Sequence, residues 1–215
     1  MIPQTHLKVL RKLYERLKDS NVNWVVTGSF GFVLRGVPVE PHDIDIQTDK
    51  EGAYKIERLF SEFVMRPVKF RESERIRSHF GALMIEGVKV EIMGDIQKKV
   101  NNEWEPPVDI NRHKRFVQIE GMEIPVLDLE YEYQAYLKLG RIEKAKMLKK
   151  FLEENGLDMT LYDWKSADKK HELFAKKKPV DAMECMVSYA FRDGQYAFRF
   201  GYINKRVVNF EFSGH

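Results

Sequence analysis

Two stretches decide the fold class of this chain: Val25-Val-Thr-Gly-Ser-Phe-Gly-Phe32 and, after a short gap, Pro41-His-Asp-Ile-Asp-Ile-Gln47. The first joins an apolar run to a Gly-Ser turn. In the second, Asp43 and Asp45 alternate with two isoleucines. Residues i and i+2 of a strand point to the same face, so the aspartates stand side by side while the isoleucines enter the core. Two like charges held this close need a cation, and the pattern predicts a metal site.

A third carboxylate follows in Val88-Lys-Val-Glu-Ile-Met93, where Lys89, Glu91 and Met93 alternate with apolar residues. The preceding apolar run ends at Glu86-Gly87, a turn signal, so we predict a hairpin whose second arm lies beside the aspartate strand. Glu91 is the predicted third ligand. Such oxygen ligands suit Mg²⁺ or Mn²⁺, and two of these ions about 3.5–4 Å apart can hold the attacking and leaving oxygens of phosphoryl transfer.

Gly28 and Ser29 lie where a strand at residues 24–27 turns into a helix. The unpaired N–H groups and the positive dipole at a helix N-terminus favour phosphate, so this turn is predicted to hold a triphosphate. Gly28 permits close approach of the backbone, and Ser29 is a favoured N-cap residue. A plain helix cap with no ligand is the alternative interpretation.

The whole pattern resembles the polymerase-β-like nucleotidyltransferase superfamily: Gly-Ser, thirteen residues, an Asp-Ile-Asp between apolar residues, and later a strand-borne glutamate. Within it the chain is most similar to small prokaryotic nucleotidyltransferases of the lincosamide, aminoglycoside and abortive-infection types. It most resembles the smallest members of this group, which come from hyperthermophilic bacteria. The likeness covers residues 1–155 and is carried by residues 23–29, 42–49, 88–95 and 129–141.

The resemblance implies an α/β (α+β) fold, a bound Mg²⁺ or Mn²⁺, and a nucleoside triphosphate such as ATP as donor. It implies transfer of the nucleotidyl group to an acceptor hydroxyl or phosphate with release of pyrophosphate, and it leaves a small molecule or RNA open as acceptor. Many relatives carry Arg and Thr shortly before the first aspartate, where this chain has Val39 and Pro41. That departure keeps open a nucleotide-binding interaction protein of a toxin–antitoxin or defence pair with little turnover, although the intact carboxylate triad favours the enzyme.

Apolar periodicity predicts helices at residues 5–17, 50–60, 129–139 and 142–152, and a mixed sheet with helices on one side. The last two helices are interrupted near Gly140, where these relatives place a helical lid against the nucleotide. Lys138 and Arg141 are three apart and are predicted to share a helix face. Cations there would neutralise triphosphate charge; a pair of solvated surface cations is the alternative.

Three segments are predicted: residues 1–126 as the catalytic core, 127–156 as a helical segment and 157–215 as a C-terminal extension. Alternating apolar residues at 183–191, 195–203 and 206–212 indicate a three-stranded antiparallel sheet in the extension. So small a sheet is unstable alone, so it is predicted to pack on the enzyme, on its own helix, or on a second subunit in a homodimer. The basic residues 165–178 fit either RNA phosphates or a solvated flank.

Composition agrees with a compact enzyme, since 215 residues with 43% hydrophobic and 32% charged residues can bury one core. The net charge of +3 does not demand a nucleic-acid partner. Cys185 is the only cysteine, which excludes an internal disulfide and a cysteine-rich zinc site. The chain shows no long apolar run and no signal-peptide pattern, so a cytoplasmic location away from membranes is expected.

Overall fold

The structure, a computed structural model, describes residues 2–157 together with the backbone of two strands, Val187–Arg192 and Gln195–Phe200. Its contacts divide the chain into two compact units, Met1–Phe151 and Leu152–His215. The division into three segments that the sequence suggested stays a prediction. Within the first unit, every element of the predicted catalytic core can be followed.

The helices of residues 2–157 are α1 (Gln4–Leu17), α2 (Gly28–Leu34), α3 (Lys50–Leu59), α4 (Ile110–His113), α5 (Leu129–Lys138) and α6 (Ile142–Glu154). The strands of the same part are β1 (Trp24–Thr27), β2 (Ile44–Thr48), β3 (Val64–Glu72), β4 (Ile76–Ile85), β5 (Val88–Val100), β6 (Glu103–Trp104), β7 (Lys114–Ile119) and β8 (Met122–Leu127). A short 3₁₀ turn, Ser61–Phe63, precedes β3.

These strands form one mixed sheet in the order β3-β4-β5-β2-β1-β8-β7, with the short β6 paired to β5. The pairs β2–β5 and β1–β8 are parallel, and the other pairs are antiparallel. The predicted hairpin joins β4 to β5 through Glu86 and Gly87, whose φ angles of 50° and 81° suit a tight two-residue turn. The predicted mixed α/β fold is confirmed.

The main hydrophobic core lies between the sheet and helices α1 and α3. It contains Ile44 and Ile46 of β2 and Ile92 of β5, none of which has exposed surface. Because side chains alternate along a strand, the residues between them, Asp45 and Glu91, point to the opposite face of the sheet. We call this opposite side the carboxylate face.

Helices also lie on the carboxylate face, where a smaller cluster joins Val25 of β1, Leu127 of β8 and Ile110 of α4. Tyr131 of α5 packs against this cluster. The prediction of helices on one side only is therefore wrong. Residues 110–113, for which the sequence indicated no helix, form α4, whose first turn is capped by the Asp109 side chain accepting from the amide of Asn111 at 3.1 Å.

In the C-terminal extension, Val187–Arg192 (β9) and Gln195–Phe200 (β10) form an antiparallel pair at two of the three predicted positions. The third predicted strand, at residues 206–212, lies outside the described residues, as do the basic residues 165–178 and Cys185. Pairing of the extension with a second subunit stays a prediction. Among the described helices, none has the length and apolarity needed to cross a membrane.

Candidate active site

Three carboxylates meet on the carboxylate face, at the start of β2 and near the start of β5. Asp45 and Glu91 are direct partners in the parallel β2–β5 pair, and Asp43 immediately precedes β2. One oxygen of each carboxylate lies within 4.8 Å of the corresponding oxygens of the other two. All three side chains are half-buried. Three hard oxygen donors converging in this way fit a divalent cation such as Mg²⁺ or Mn²⁺.

The electrostatic environment of Asp45 shows why this cluster calls for positive charge. Burial is the main cause that raises the pKa of Asp45 to about 7, and the charges of Asp43 and Glu91 add to it. Lys144 and Lys89 act in the opposite direction. Without a cation Asp45 is therefore only partly ionised near neutral pH, and a bound cation would favour its ionised form.

Lys89 supplies a cation to the cluster and was given no role by the sequence analysis. Its Nζ donates to Oε1 of Glu91 at 2.7 Å and lies 3.3 Å from Oδ2 of Asp43. The hydrogen bond to Glu91 is the main cause that raises the pKa of Lys89. The signal was present in the sequence, because Lys89 and Glu91 are two apart on one strand and must point to the same face.

The Gly-Ser turn lies against the cluster. Gly28 has φ +66°, and a side chain there would collide with the carboxylate of Asp45. Only glycine both adopts this left-handed backbone readily and leaves room for Asp45. Helix α2 begins at Gly28 with Thr27 as its N-cap. The prediction that Ser29 caps the helix is therefore wrong, since Ser29 lies inside the first turn.

Glu132 of α5 holds this turn through hydrogen bonds to Thr27 and Gly28. The sequence analysis gave it no role. It is 4% exposed, accepts from the Gly28 amide at 3.0 Å, and accepts a second hydrogen bond from the Thr27 hydroxyl. Burial raises the pKa of Glu132 to about 8 although these two hydrogen bonds act to lower it. The Gly28 amide therefore already has a partner, and phosphate binding by this turn stays a prediction. The sequence did carry a signal for Glu132, because it is an acid at a helical spacing from the buried residues Leu129, Tyr133 and Tyr136.

The structure does not place Lys138 and Arg141 on one helix face. Helix α5 ends at Lys138, and Gly140 takes φ +70°, so Arg141 lies beyond the helix and the predicted shared face is wrong. Lys138 forms an ion pair with Glu105, and the Arg141 guanidinium lies 5.8 Å from the centre of the Tyr136 ring. A role for either cation at a triphosphate stays a prediction.

Lys144 of α6 is the cation of the helical segment whose charge reaches Asp45. It acts to lower the pKa of Asp45, and its Nζ lies 5.6 Å from the centre of the Tyr136 ring. No local pattern distinguishes Lys144 from the other lysines of residues 144–150, because a helix face with many lysines is usually solvated.

Comparison with known proteins assigns the chain to a family. The family model described as aminoglycoside-2″-adenylyltransferase matches residues 9–150. The chain belongs to this family. Membership of this family makes the chain a nucleotidyltransferase, and the prediction from sequence is confirmed. The matched residues include the carboxylate cluster, the Gly-Ser turn and Glu132.

Solved structures similar to this nucleotidyltransferase include a Thermotoga maritima protein provisionally described as a nucleotidyltransferase. It is 66% identical over 72% of this chain and 96% of its own, with a TM-score of 0.64. The solution structure of the antibiotic-resistance factor ANT(2″)-Ia is 13% identical over 81% of this chain and all of its own (100%), with a TM-score of 0.49. Its crystal structure with adenylyl-2″-tobramycin gives 13% identity and a TM-score of 0.48. No curated protein sequence matches the chain.

The buried acid of this nucleotidyltransferase leads to a prediction about stability. We expect Glu132→Gln to raise the free energy of unfolding at pH 9 by about 1–3 kcal/mol. Folding raises the pKa of Glu132 from 4.5 to about 8. The contribution of this acid to the free energy of unfolding is therefore fully present below pH 4.5 and is lost as pH rises to about 8. Glutamine keeps an accepting oxygen for Gly28 and Thr27 but cannot ionise.

Urea unfolding of both proteins at pH 5 to 9 measures this effect. The profile of Glu132→Gln should be flatter than that of the wild type. The exposed Glu123 of β8 provides the control, since Glu123→Gln should leave the profile of the wild type unchanged. Equal slopes for the wild type and Glu132→Gln would show that Glu132 does not hold its proton in the folded protein.

Proposed function

We propose that this chain transfers a nucleoside monophosphate from a nucleoside triphosphate to a hydroxyl or phosphate of an acceptor, with release of pyrophosphate. The observation that carries the proposal is the convergence of Asp43, Asp45 and Glu91, each with an oxygen within 4.8 Å of the others. Membership of a nucleotidyltransferase family supports the same reaction. The acceptor is a small molecule or RNA, and the family's name makes an aminoglycoside one small molecule to test.

The three carboxylates are proposed as the ligands of Mg²⁺ or Mn²⁺. A divalent ion bound there would offset triphosphate charge and favour ionisation of the acceptor hydroxyl. The chain's own residues supply the rest of the site. Gly28 gives the turn its close approach to Asp45, and Lys144 and Lys89 add positive charge beside the carboxylates. Ser29 is proposed to contact phosphate.

In the proposed reaction an acceptor oxygen forms a bond to the α-phosphorus. The bond from that phosphorus to the oxygen bridging to the β-phosphate breaks, and pyrophosphate leaves with the electron pair. The acceptor proton passes to a carboxylate of the cluster, and Glu91 is our candidate because the hydrogen bond from Lys89 holds its carboxylate in place.

Label transfer tests the proposal. Each of the four ribonucleoside triphosphates, labelled in the α-phosphate, is incubated with the protein, Mg²⁺ or Mn²⁺, and cell extract as the source of acceptor. We expect label in a small-molecule or RNA fraction together with pyrophosphate release, and neither with the Asp43→Ala/Asp45→Ala variant. Nucleotide binding without transfer, across all donors and both metals, would favour the interaction protein of a toxin–antitoxin or defence pair.

Removal of divalent metal gives a second prediction. We expect EDTA to abolish transfer and excess Mg²⁺ or Mn²⁺ to restore it, because three converging carboxylates repel both one another and a triphosphate. Thermal unfolding followed with and without Mn²⁺ should show metal-dependent stabilisation of the wild type and none of the Asp43→Ala/Asp45→Ala variant. Full transfer activity in EDTA would contradict the assignment of these residues as metal ligands.

A further inference from the structure

The register of the sheet places a cation in the same row as the carboxylates. Arg66 of β3 pairs with Ala82 of β4, Ala82 with Glu91 of β5, and Glu91 with Asp45 of β2. Residues directly opposite one another in neighbouring strands point to the same face. Arg66 therefore lies on the carboxylate face, two strands or about 10 Å from Glu91 between Cα atoms.

Two further cations of β3 share this face. Lys69 pairs with Phe80 and Arg71 with Ser78, and Phe80 and Ser78 alternate on β4 with the same phase as Ala82. Strand β3 has two register shifts, one before and one after Arg66. Because of the second shift, Val68 turns to the other side, where it is 5% exposed and packs against Gly81. Arg66, Lys69 and Arg71 form what we call the β3 cation row.

The β3 cation row is exposed, and none of its members forms an ion pair within the described part of the chain. The Arg66 guanidinium lies 5.8 Å from the centre of the Phe80 ring, which confirms its position on the carboxylate face. By contrast, cations on the opposite side of the sheet, such as Lys12 and Arg16 of α1, pair with glutamates.

Charges on an edge strand also prevent pairing with a second sheet. That purpose requires no particular face, since a charge on either side of the strand disrupts pairing. Here the register shifts of β3 bring all three cations to the face that carries the carboxylates. Their common direction is better explained by a ligand on that face.

The line of paired residues that crosses the sheet from Thr27 through Asp45 and Glu91 to Arg66 has two ends, and each suits one of the two substrates of the proposed function. The inference rests on that proposed function. The Gly-Ser turn is at the β1 end, where Thr27 pairs with Asp45, and Arg66 is at the β3 end. In-line displacement places the entering and leaving oxygens on opposite sides of the phosphorus. With the triphosphate held at the turn, pyrophosphate leaves toward α2 and the acceptor enters from the side of β3.

We propose that the acceptor is anionic and carries phosphate, which the β3 cation row binds while the reacting oxygen reaches the carboxylate cluster. Arginine binds phosphate through two parallel N–H groups, and lysine binds it as a point charge. A polycationic aminoglycoside would meet repulsion on this path. Phosphate of RNA and phosphate of a small molecule have the same chemistry, and the experiment separates the two sources.

The test is label transfer from α-labelled ATP to two extract fractions, RNA and small molecules. Each fraction is used untreated, after ribonuclease treatment and after phosphatase treatment, and the aminoglycoside tobramycin is a further acceptor. The variant Arg66→Gln/Lys69→Gln/Arg71→Gln is compared with Lys8→Gln/Lys18→Gln/Arg58→Gln, which removes equal charge from exposed residues of α1, its C-cap and α3.

We expect transfer to a fraction that loses its acceptor activity after phosphatase treatment, for a small molecule, or ribonuclease treatment, for RNA. The β3 variant should lower kcat/KM for that acceptor by about tenfold or more, equivalent to one charge-assisted hydrogen bond to phosphate. Its KM for ATP should stay that of the wild type, and the control variant should behave as the wild type.

Transfer to tobramycin or to an acceptor that survives both treatments would overturn the inference and leave the proposed function intact. The same holds if the β3 variant transfers to a phosphate-bearing acceptor as well as the control variant does. Absence of wild-type transfer to every fraction would instead remove the proposed function, and the inference with it. The two failures therefore have different readouts.

Discussion

Replacement of Asp45 by asparagine should reduce nucleotidyl transfer by about a thousandfold or more, because the loss of a charged metal ligand removes several kcal/mol of stabilisation from the transition state. An amide is a neutral ligand and cannot balance a divalent cation as a carboxylate does. The measurement is the initial rate of label transfer at saturating Mg²⁺. A variant with the rate of the wild type would show that Asp45 does not belong to the reacting site.

The same substitution should stabilise the metal-free protein. The pKa of Asp45 is raised from 3.8 to about 7, chiefly by burial. The free energy of unfolding of the wild type therefore falls as pH rises from about 4 to about 7, because Asp45 must ionise in a buried position. Asparagine does not ionise, so the variant does not lose this stability. We expect a gain on the order of 1–2 kcal/mol at pH 8 in EDTA, measured by urea unfolding, and a smaller gain at pH 5.

Asp95 of β5 provides the matched control for both measurements. It lies four residues beyond Glu91 on the same strand, outside the carboxylate cluster, and its φ of 47° is one that asparagine accepts well. Asp95→Asn should keep the transfer rate of the wild type and show no gain in stability that grows with pH. A shared response of Asp45→Asn and Asp95→Asn would point to a general charge effect instead of the cluster.

The second large effect is expected from Gly28→Ala. Alanine at φ +66° costs about 1–2 kcal/mol in backbone strain, and its Cβ would collide with the Asp45 carboxylate. The collision must move either the turn or the metal ligand. A displacement of about 1 Å in a site that depends on positioning costs about a hundredfold in rate. We therefore expect loss of both stability and transfer, measured by urea unfolding and by label transfer.

Gly87 separates strain from collision. It has φ +81° in the β4–β5 turn, and a Cβ added there would meet no atom within 4 Å. Gly87→Ala should lose only the stability that backbone strain costs, which is less than Gly28→Ala loses, and should keep its transfer activity. If the two alanine variants lose transfer to the same extent, then contact between the turn and Asp45 is not what limits the reaction.

Local periodicity explains why the fold class could be predicted from sequence. The alternation of isoleucines with Asp43 and Asp45, and of apolar residues with Glu91, is a period of two that only a strand with one buried face satisfies. The Glu86-Gly87 turn then fixes β4 and β5 as a hairpin. Burial of the isoleucines leaves the three carboxylates one common direction, and the structure does bring them together.

Periodicity also produced the errors. The spacing of Lys138 and Arg141 suggested one helix face, yet Gly140 ends the helical register between them, and Glu105 from the β6 region takes Lys138 as its partner. Residues 110–113 carry too short a pattern to indicate a helix. In both cases a tertiary contact or a single backbone angle outweighed the local pattern.

The sequence by itself determined the alternating strands, the hairpin and the common face of the three carboxylates, because these follow from neighbours one to a few residues apart. Only the tertiary structure decided which distant groups complete the site. Glu132 reaches the Gly28 amide across 104 residues, and the register shifts of β3 turn Arg66 toward the carboxylate face. Such contacts depend on how the strands and helices pack against one another, and the spacing of residues along the sequence does not specify that packing.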